Sequence, residues 1–146
     1  MSKPHDRSKL PLPEQYGNAN DEDTEQIRLF CWAALPDTQE KYPELKWMFH
    51  IPNGGYRNKR LAGKLRAMGV KRGVPDICLP IRRGAFPALW IELKRPAIKN
   101  VQRAGILRNE QGPWLDHLHA QGHAKMKCVG WEAARDTIVS YLEWKE

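Results

Sequence analysis

Apolar positions along the chain fall into short blocks whose spacing changes from helical to extended and back. From Asp21 to Ala34, Ile27, Phe30, Cys31 and Ala34 recur at helical spacing, and Asp23 or Thr24 stands where a cap belongs. Trp47 to Ile51 reads as a short strand, ended by the turn residues Pro52-Asn53-Gly54-Gly55. Asn58 to Met68 reads as a helix capped by Asn58, with Leu61, Leu65 and Met68 on one face and Gly69 at its C-terminal stop. Ile77-Cys78-Leu79 and Leu89-Trp90-Ile91 are apolar runs of strand character around the turn-like Arg82-Arg83-Gly84-Ala85.

Beyond the hairpin, Pro113 is tolerated only in a first helical turn, so the next helix starts near Asn109 as its cap. Trp114, Leu115 and Leu118 form its buried side and Gly122 ends it. Ala124 to Val129 is a fourth strand, and Ala134, Ile138, Tyr141 and Leu142 mark a closing helix. The order helix, strand, helix, strand, strand, helix, strand, helix predicts an α/β domain with a central mixed four-stranded sheet. Residues 1–20 hold three prolines and no apolar period, which predicts a flexible tail ahead of one domain over 21–146.

The hairpin carries the candidate chemistry. A turn centred on Gly84 puts Asp76 and Glu92 each eight residues away and opposite one another. Opposed side chains start from Cβ atoms about 4.5–5.5 Å apart, close enough to share one cation. Alternation places Glu92 and Lys94 on one face and Ile91 and Leu93 on the other. A slip of one residue would send the carboxylates to opposite faces. One or two carboxylates with water and a substrate phosphate suit Mg²⁺, or Mn²⁺ in its place. A lysine beside two carboxylates stays charged and can stabilise charge building on a phosphate. Taken alone, Glu-x-Lys is a common solvated pair; the hairpin arithmetic and the apolar flanks favour the site.

At these residues the chain resembles the PD-(D/E)XK nuclease superfamily, and more closely the VRR-NUC (virus-type replication-repair nuclease) family. The resemblance runs through His50 to Gly55 (HIPNGG), Gly69 to Asp76 (GVKRGVPD), Leu89 to Lys94 (LWIELK), Gln111 to Leu115 (QGPWL) and Val129 to Ala133 (VGWEA). It covers about Asp21 to Trp144. Lys99 to Arg108 looks longer and more basic than the family pattern. The resemblance implies a PD-(D/E)XK core and a DNA nuclease dependent on Mg²⁺ or Mn²⁺. It assigns metal ligation to Asp76, Glu92 and the backbone carbonyl of Leu93, and a catalytic role to Lys94. It matches Glu25 to the acidic residue of the first helix, a candidate further ligand, and Gln111 to a glutamine near the metal. It also implies a structure-selective endonuclease, resembling Holliday-junction resolvases, that works as a homodimer on branched DNA. Phe30 and Trp32, on neighbouring faces of the first helix, offer apolar surface for such a dimer. A flap or end-processing nuclease, an exonuclease included, and a non-cleaving DNA-binding accessory protein are the alternatives.

Charge agrees with a polyanionic partner. The 146 residues carry a formal net charge of +7, with a pI near 9.5. Arg57, Lys59, Arg60, Lys64, Arg66, Lys71 and Arg72 crowd the segment before Asp76, and Arg82 and Arg83 stand at the hairpin tip. A charge run is usually a solvated face. Beside a metal site, these residues and Asn53 are candidate phosphate contacts. His117, His119 and His123 read as solvated histidines, since Gly122 interrupts their spacing and no cysteine or acid completes a zinc set. Cys31, Cys78 and Cys128 read as buried thiols of a reducing compartment. With no signal core and no membrane-length apolar run, a cytosolic protein without membrane contact is expected.

Overall fold

A computed structural model describes residues 21–52 and 58–145. The 1–20 tail expected from the sequence lies outside the described residues. Helices α1 (Glu22–Ala34) and α2 (Pro36–Lys41) and a 3₁₀ turn (Pro43–Trp47) precede strand β1 (Phe49–His50). Helix α3 (Lys59–Ala67), strands β2 (Ile77–Leu79) and β3 (Leu89–Lys94), helix α4 (Gln111–Ala120), strand β4 (Ala124–Val129) and helix α5 (Trp131–Glu143) follow. The four strands form one mixed sheet in the order β1-β2-β3-β4. The first two pairings are antiparallel, and β3 and β4 run parallel across the α4 crossover. This is the mixed four-stranded α/β architecture read from the sequence.

One sheet face carries Ile77, Leu79, Leu89, Ile91 and Leu93, packed against Leu29 and Ala33 of α1 and Ala134, Ile138 and Leu142 of α5. On the other side α4 packs over β3 and β4 through buried Leu115 and Leu118. Burial pushes the Cys78 thiol up to about 11 and also raises Cys31 and Cys128, so all three free thiols are poor nucleophiles near neutral pH. Cys31 is only half-buried.

Several local readings are corrected. The cap of α1 is Asp21, whose carboxylate accepts from the Thr24 amide at 2.8 Å, not Asp23 or Thr24. The buried stripe of α1 is Glu25, Leu29 and Ala33, one position away from the stripe expected from Ile27, Phe30 and Ala34. Phe30 and Trp32 pack against the core, so they do not supply the exposed surface expected of α1. Pro43 opens a 3₁₀ turn that consumes Trp47, which shortens the first strand to two residues. Asn109 lies in a turn, and Glu110 precedes α4 without a side-chain cap. Asn58 does cap α3, accepting from the Leu61 amide at 2.7 Å. No residue of α3 is buried, however, and its apolar Leu61 and Met68 are exposed.

The hairpin register depends on one extra residue. Arg83 and Phe86 exchange two backbone hydrogen bonds of 3.0 and 2.9 Å around a two-residue turn, with Gly84 at φ 55°. The ladder pairs Leu79 with Leu89 and Ile77 with Ile91. Between turn and ladder the first arm holds Pro80, Ile81 and Arg82, and the second only Pro87 and Ala88. With equal arms this turn would set Asp76 against Leu93, on the core face. The extra residue sets it against Glu92. The register expected from a turn centred on Gly84 is therefore the observed one, reached by an off-centre turn and a bulge.

Arg83 locks the hairpin tip. Its Nε donates to the Leu142 carbonyl at 3.0 Å, and its two terminal nitrogens donate to the Arg82 carbonyl at 2.8 Å and the Glu44 carboxylate at 3.0 Å. The Tyr141 hydroxyl donates to the Ile81 carbonyl beside it. Arg83→Ala should lower stability by about 1–3 kcal/mol in urea denaturation, because the partly buried Glu44 and the Leu142 carbonyl lose their donor. Exposed Arg82→Ala should stay within about 0.5 kcal/mol of the parent. Equal effects would remove the tie.

Candidate active site

Asp76, Glu92 and Lys94 converge where β2 begins and β3 ends. Buried Pro75 fixes the backbone entering Asp76. The Asp76 carbonyl accepts from the Ile51 amide at 2.8 Å and from the His50 ring at 2.8 Å, so His50 carries its proton on Nδ1. Asp76 Oδ2 accepts from the Leu93 amide at 2.9 Å. A strand residue sends its N–H and C=O to the same edge, so the Leu93 carbonyl faces the Asp76 side as well.

Glu92 and Lys94 are each only 1 % exposed. The Lys94 ammonium meets three oxygens: Gln111 Oε1 at 2.8 Å, Glu92 Oε1 at 3.3 Å and Glu22 Oε1 at 3.8 Å. Gln111 ties the pair together. Its Nε2 donates to Glu92 Oε1 at 2.7 Å, while its Oε1 accepts from Lys94 and, at 2.7 Å, from the Arg108 amide. Glu92 Oε2 is buried and accepts no hydrogen bond; the Asp76 carboxylate beside it is an acceptor that only a protonated Glu92 can satisfy. Burial, then the Asp76 charge, push the Glu92 carboxyl up to about 8 against the opposing pull of Lys94. A buried, unpartnered carboxylate oxygen next to a second carboxylate fits a hard divalent cation. Asp76, Glu92 and the Leu93 carbonyl are the groups placed to hold one. Among the described residues no cluster of three or more His, Cys, Asp or Glu side chains forms a metal site.

Backbone close to these side chains holds them in place. Gly73, at φ 86°, lies so near Glu110 that an added Cβ would stand 2.5 Å from the Glu110 carbonyl oxygen. The loop that delivers Asp76 is thus pressed against the start of α4, which delivers Gln111. A Cβ on Gly105 would meet Glu22 Oε1 at 3.0 Å and Lys94 Cβ at 3.3 Å, so the 95–110 loop lies over the lysine stem. That loop turns back on itself through the Ile98–Gln102 bridge and Asn100 at φ 61°, so its extra length does not displace Gln111.

Glu25 does not join this cluster. Its Oε2 accepts from the Trp131 amide at 2.8 Å, at the N-terminus of α5, and its Oε1 from Arg28 at 3.2 Å. It serves the orphan donors of a helix end. Glu22, one turn earlier, reaches Lys94 instead. A cap at Asp23 or Thr24, two or three residues past Asp21, would leave Glu22 without a place in the helical turn that faces Lys94.

An open cleft of about 980 Å³ adjoins Asp76, Leu93 and Gln111, walled by Glu22 and Asp23 of α1 and by α3 with the loop after it. Of the proposed phosphate contacts, Arg66 and Arg72 line it, and so does Arg108, which sequence reasoning had treated only as part of a basic stretch. Lys59, Arg60, Lys64 and Lys71 are exposed on α3 and the loop after it. Asn53 and Arg57 lie outside the described residues. Arg82 and Arg83 are not part of this surface. The tip stands seven residues up the strand from Asp76, about 20 Å away at strand spacing, and Arg83 spends its donors on the fold. His117 and His119 are exposed, while His123 Nδ1 accepts from the Trp90 indole at 3.3 Å.

The Glu92 environment has a stability signature. The folded state keeps a proton that the unfolded chain releases from about pH 4.5, and gives it up only near 8. The stability it supplies is full below the lower value and is lost as pH rises through the upper one. Metal-free wild type should therefore lose melting temperature across this window relative to Glu92→Gln, whose amide is neutral throughout. Mg²⁺ or Mn²⁺ should restore the wild type and leave the variant unmoved. Parallel melting curves for the two proteins would refute the assignment.

No protein-family model and no curated protein sequence matches this chain. A solved structure described as "VRR_NUC domain protein" superposes with a TM-score of 0.66 at 24% identity, over 84% of this chain and 88% of the other. The chain therefore shares the α/β fold of a VRR_NUC domain protein.

Proposed function

We propose that the chain is a divalent-metal-dependent DNA nuclease that hydrolyses phosphodiester bonds, with branched DNA as its substrate. The observation that carries this reading is the buried, unpartnered Glu92 Oε2 beside Asp76, with buried Lys94 on the opposite side of the same carboxylate. The shared fold supports a nuclease-type domain. Asp76, Glu92 and the Leu93 carbonyl would hold Mg²⁺ or Mn²⁺, which would supply charge neutralisation at the phosphate and a more acidic water.

The chain's own groups do the rest. Lys94 places a fixed positive charge where negative charge grows on the phosphoryl group, at no reorganisation cost because three oxygens already orient it. Gln111 fixes the spacing of Glu92 and Lys94. His50 fixes the Asp76 backbone through its ring Nδ1. Arg66, Arg72 and Arg108 meet the phosphates flanking the scissile bond. No base-reading helix accompanies them, so DNA shape is recognised before sequence. Resolvase-like action would need two cuts on a four-way junction, which a homodimer with two symmetric sites would provide.

The deciding assay incubates purified protein and Mn²⁺ with four-way junction, flap, single-stranded and linear duplex DNA and maps the products. Paired incisions in the junction, with a dimer in sedimentation, support the resolvase form. A monomer that cuts linear duplex equally well refutes it. Asp76→Ala, Glu92→Ala and Lys94→Ala should each reduce cleavage at least about a hundredfold with most DNA binding intact. Full cleavage by a rigorously purified Asp76→Ala protein would falsify the site.

Affinity for duplex DNA should fall steeply with salt, with a log–log slope of about −0.9 per phosphate contact. Lys59→Ala with Lys64→Ala should flatten that slope by about one per lysine across sequences. Affinity indifferent to salt would take α3 out of the interface.

A further inference from the structure

The sheet register places the exposed Phe49 on the face that carries the carboxylates, and the exposed Trp47 stands two residues before it. Phe49 pairs with Cys78, and Cys78 with Trp90. Residues directly opposite one another share a face, and so do residues two apart on one strand. Asp76 is two residues before Cys78 and Glu92 two after Trp90, so Phe49, Asp76 and Glu92 lie on one side of the sheet. Helix α4 packs over β3 and β4 on that side. At the β1 end, Phe49 is 46 % exposed and Trp47 59 %. Buried, extended Met48 separates them, with Trp47 closing the 3₁₀ turn and Phe49 opening β1. Phe49 stands at the level of Cys78, two residues or about 7 Å from that of Asp76, and Trp47 lies beyond it toward the hairpin tip.

This surface is not merely apolar. Lys46 holds its ammonium 5.0 Å from the Trp47 ring centroid, so the indole is flanked by a cation on one face and open elsewhere. An aromatic pair beside a cation, with Phe49 on the sheet face of the carboxylates, matches the two demands of single-stranded DNA: ring faces for bases and positive charge for the backbone. A protein partner would find the rings equally attractive, but the adjoining Lys46 and the net charge of +7 favour a polyanion.

We infer that Trp47 and Phe49 form a stacking platform for unpaired nucleobases next to the site of cleavage. The inference rests on the nuclease reading and narrows it: the substrate is DNA in which unpaired bases adjoin a duplex, as at a branch or a flap. Duplex enters the cleft beside α3, and the unpaired strand leaves across β1.

Binding without divalent cation tests this, read by fluorescence anisotropy. Three labelled DNAs are compared: a duplex with a single-stranded extension, the same duplex with an abasic extension, and a blunt duplex. Wild type should bind the base-bearing extension about tenfold tighter than the abasic one, the order expected for a base stacked on an aromatic ring. Trp47→Ala with Phe49→Ala should abolish that difference and leave blunt-duplex binding unchanged. Trp47→Tyr with Phe49→Tyr should keep it. Equal binding of both extensions by the wild type overturns the inference without any variant. So does a double-alanine protein that still discriminates, which would leave the patch as a face for another protein. A protein that discriminates in this way yet never cuts DNA with Mn²⁺ would refute the nuclease and leave the platform standing.

Discussion

A carboxylate oxygen buried without a partner is the constraint around which this site is arranged. Leaving a charge there uncompensated would cost several kcal/mol even after relaxation, so Glu92 must hold a proton or share a cation. Its other oxygen is already committed to Gln111 and Lys94. The unmet demand therefore points in one direction, at Asp76. The Asp76 carboxylate is committed in turn, through Oδ2, to the Leu93 amide. Glu92 is buried and Asp76 faces the open cleft in front of it, so a cation entering from the cleft would answer both.

Delivering Asp76 to that position depends on backbone more than on side chains. The residue sits beyond the last paired position of β2, so ladder bonds alone do not hold it. Three contacts replace them: the Ile51 amide and the His50 ring on its carbonyl, and the press of Gly73 against Glu110. The bulge in the first hairpin arm decides the face. Without that extra residue the two-residue turn would aim Asp76 into the core beside Leu93. At the far end Arg83 and Tyr141 hold the tip against α5, which keeps the off-centre turn from sliding.

Period-two and helical patterns made most of this legible. Ile77 to Leu79, Leu89 to Lys94, Ala124 to Val129 and the buried positions of α5 stand where their spacing put them. The hairpin arithmetic gave the Asp76–Glu92 pairing because it depends only on the sum of two residue numbers, which a bulge and an off-centre turn happened to preserve. What was not legible involves contacts between distant segments. Glu25 looked like a further metal ligand, but its carboxylate accepts from the first amide of α5, over a hundred positions away. Arg83 looked like a phosphate contact because its partners, Glu44 and the Leu142 carbonyl, are remote in sequence. Glu22 was missed because a one-turn change in the helix start decides which acid reaches Lys94. Trp47 was read as strand because a 3₁₀ turn has no strong periodic signature.

The same contacts divide the cleft into a rigid wall and a lightly anchored one. Asp76, Glu92, Lys94 and Gln111 come from three segments that touch backbone to backbone, through the sheet and the Gly73–Glu110 contact. Their geometry is set by the fold itself, as the catalytic roles proposed for them would require. Helix α3 across the cleft buries no residue, yet it and the loop after it carry Lys59, Arg60, Lys64, Arg66, Lys71 and Arg72. Phosphate contacts tolerate such an arrangement, because a point charge needs proximity rather than fixed orientation. The groups that must be placed within fractions of an ångström stand on the sheet and on the start of α4, and those that need only attract stand on the helix with the least core to hold it.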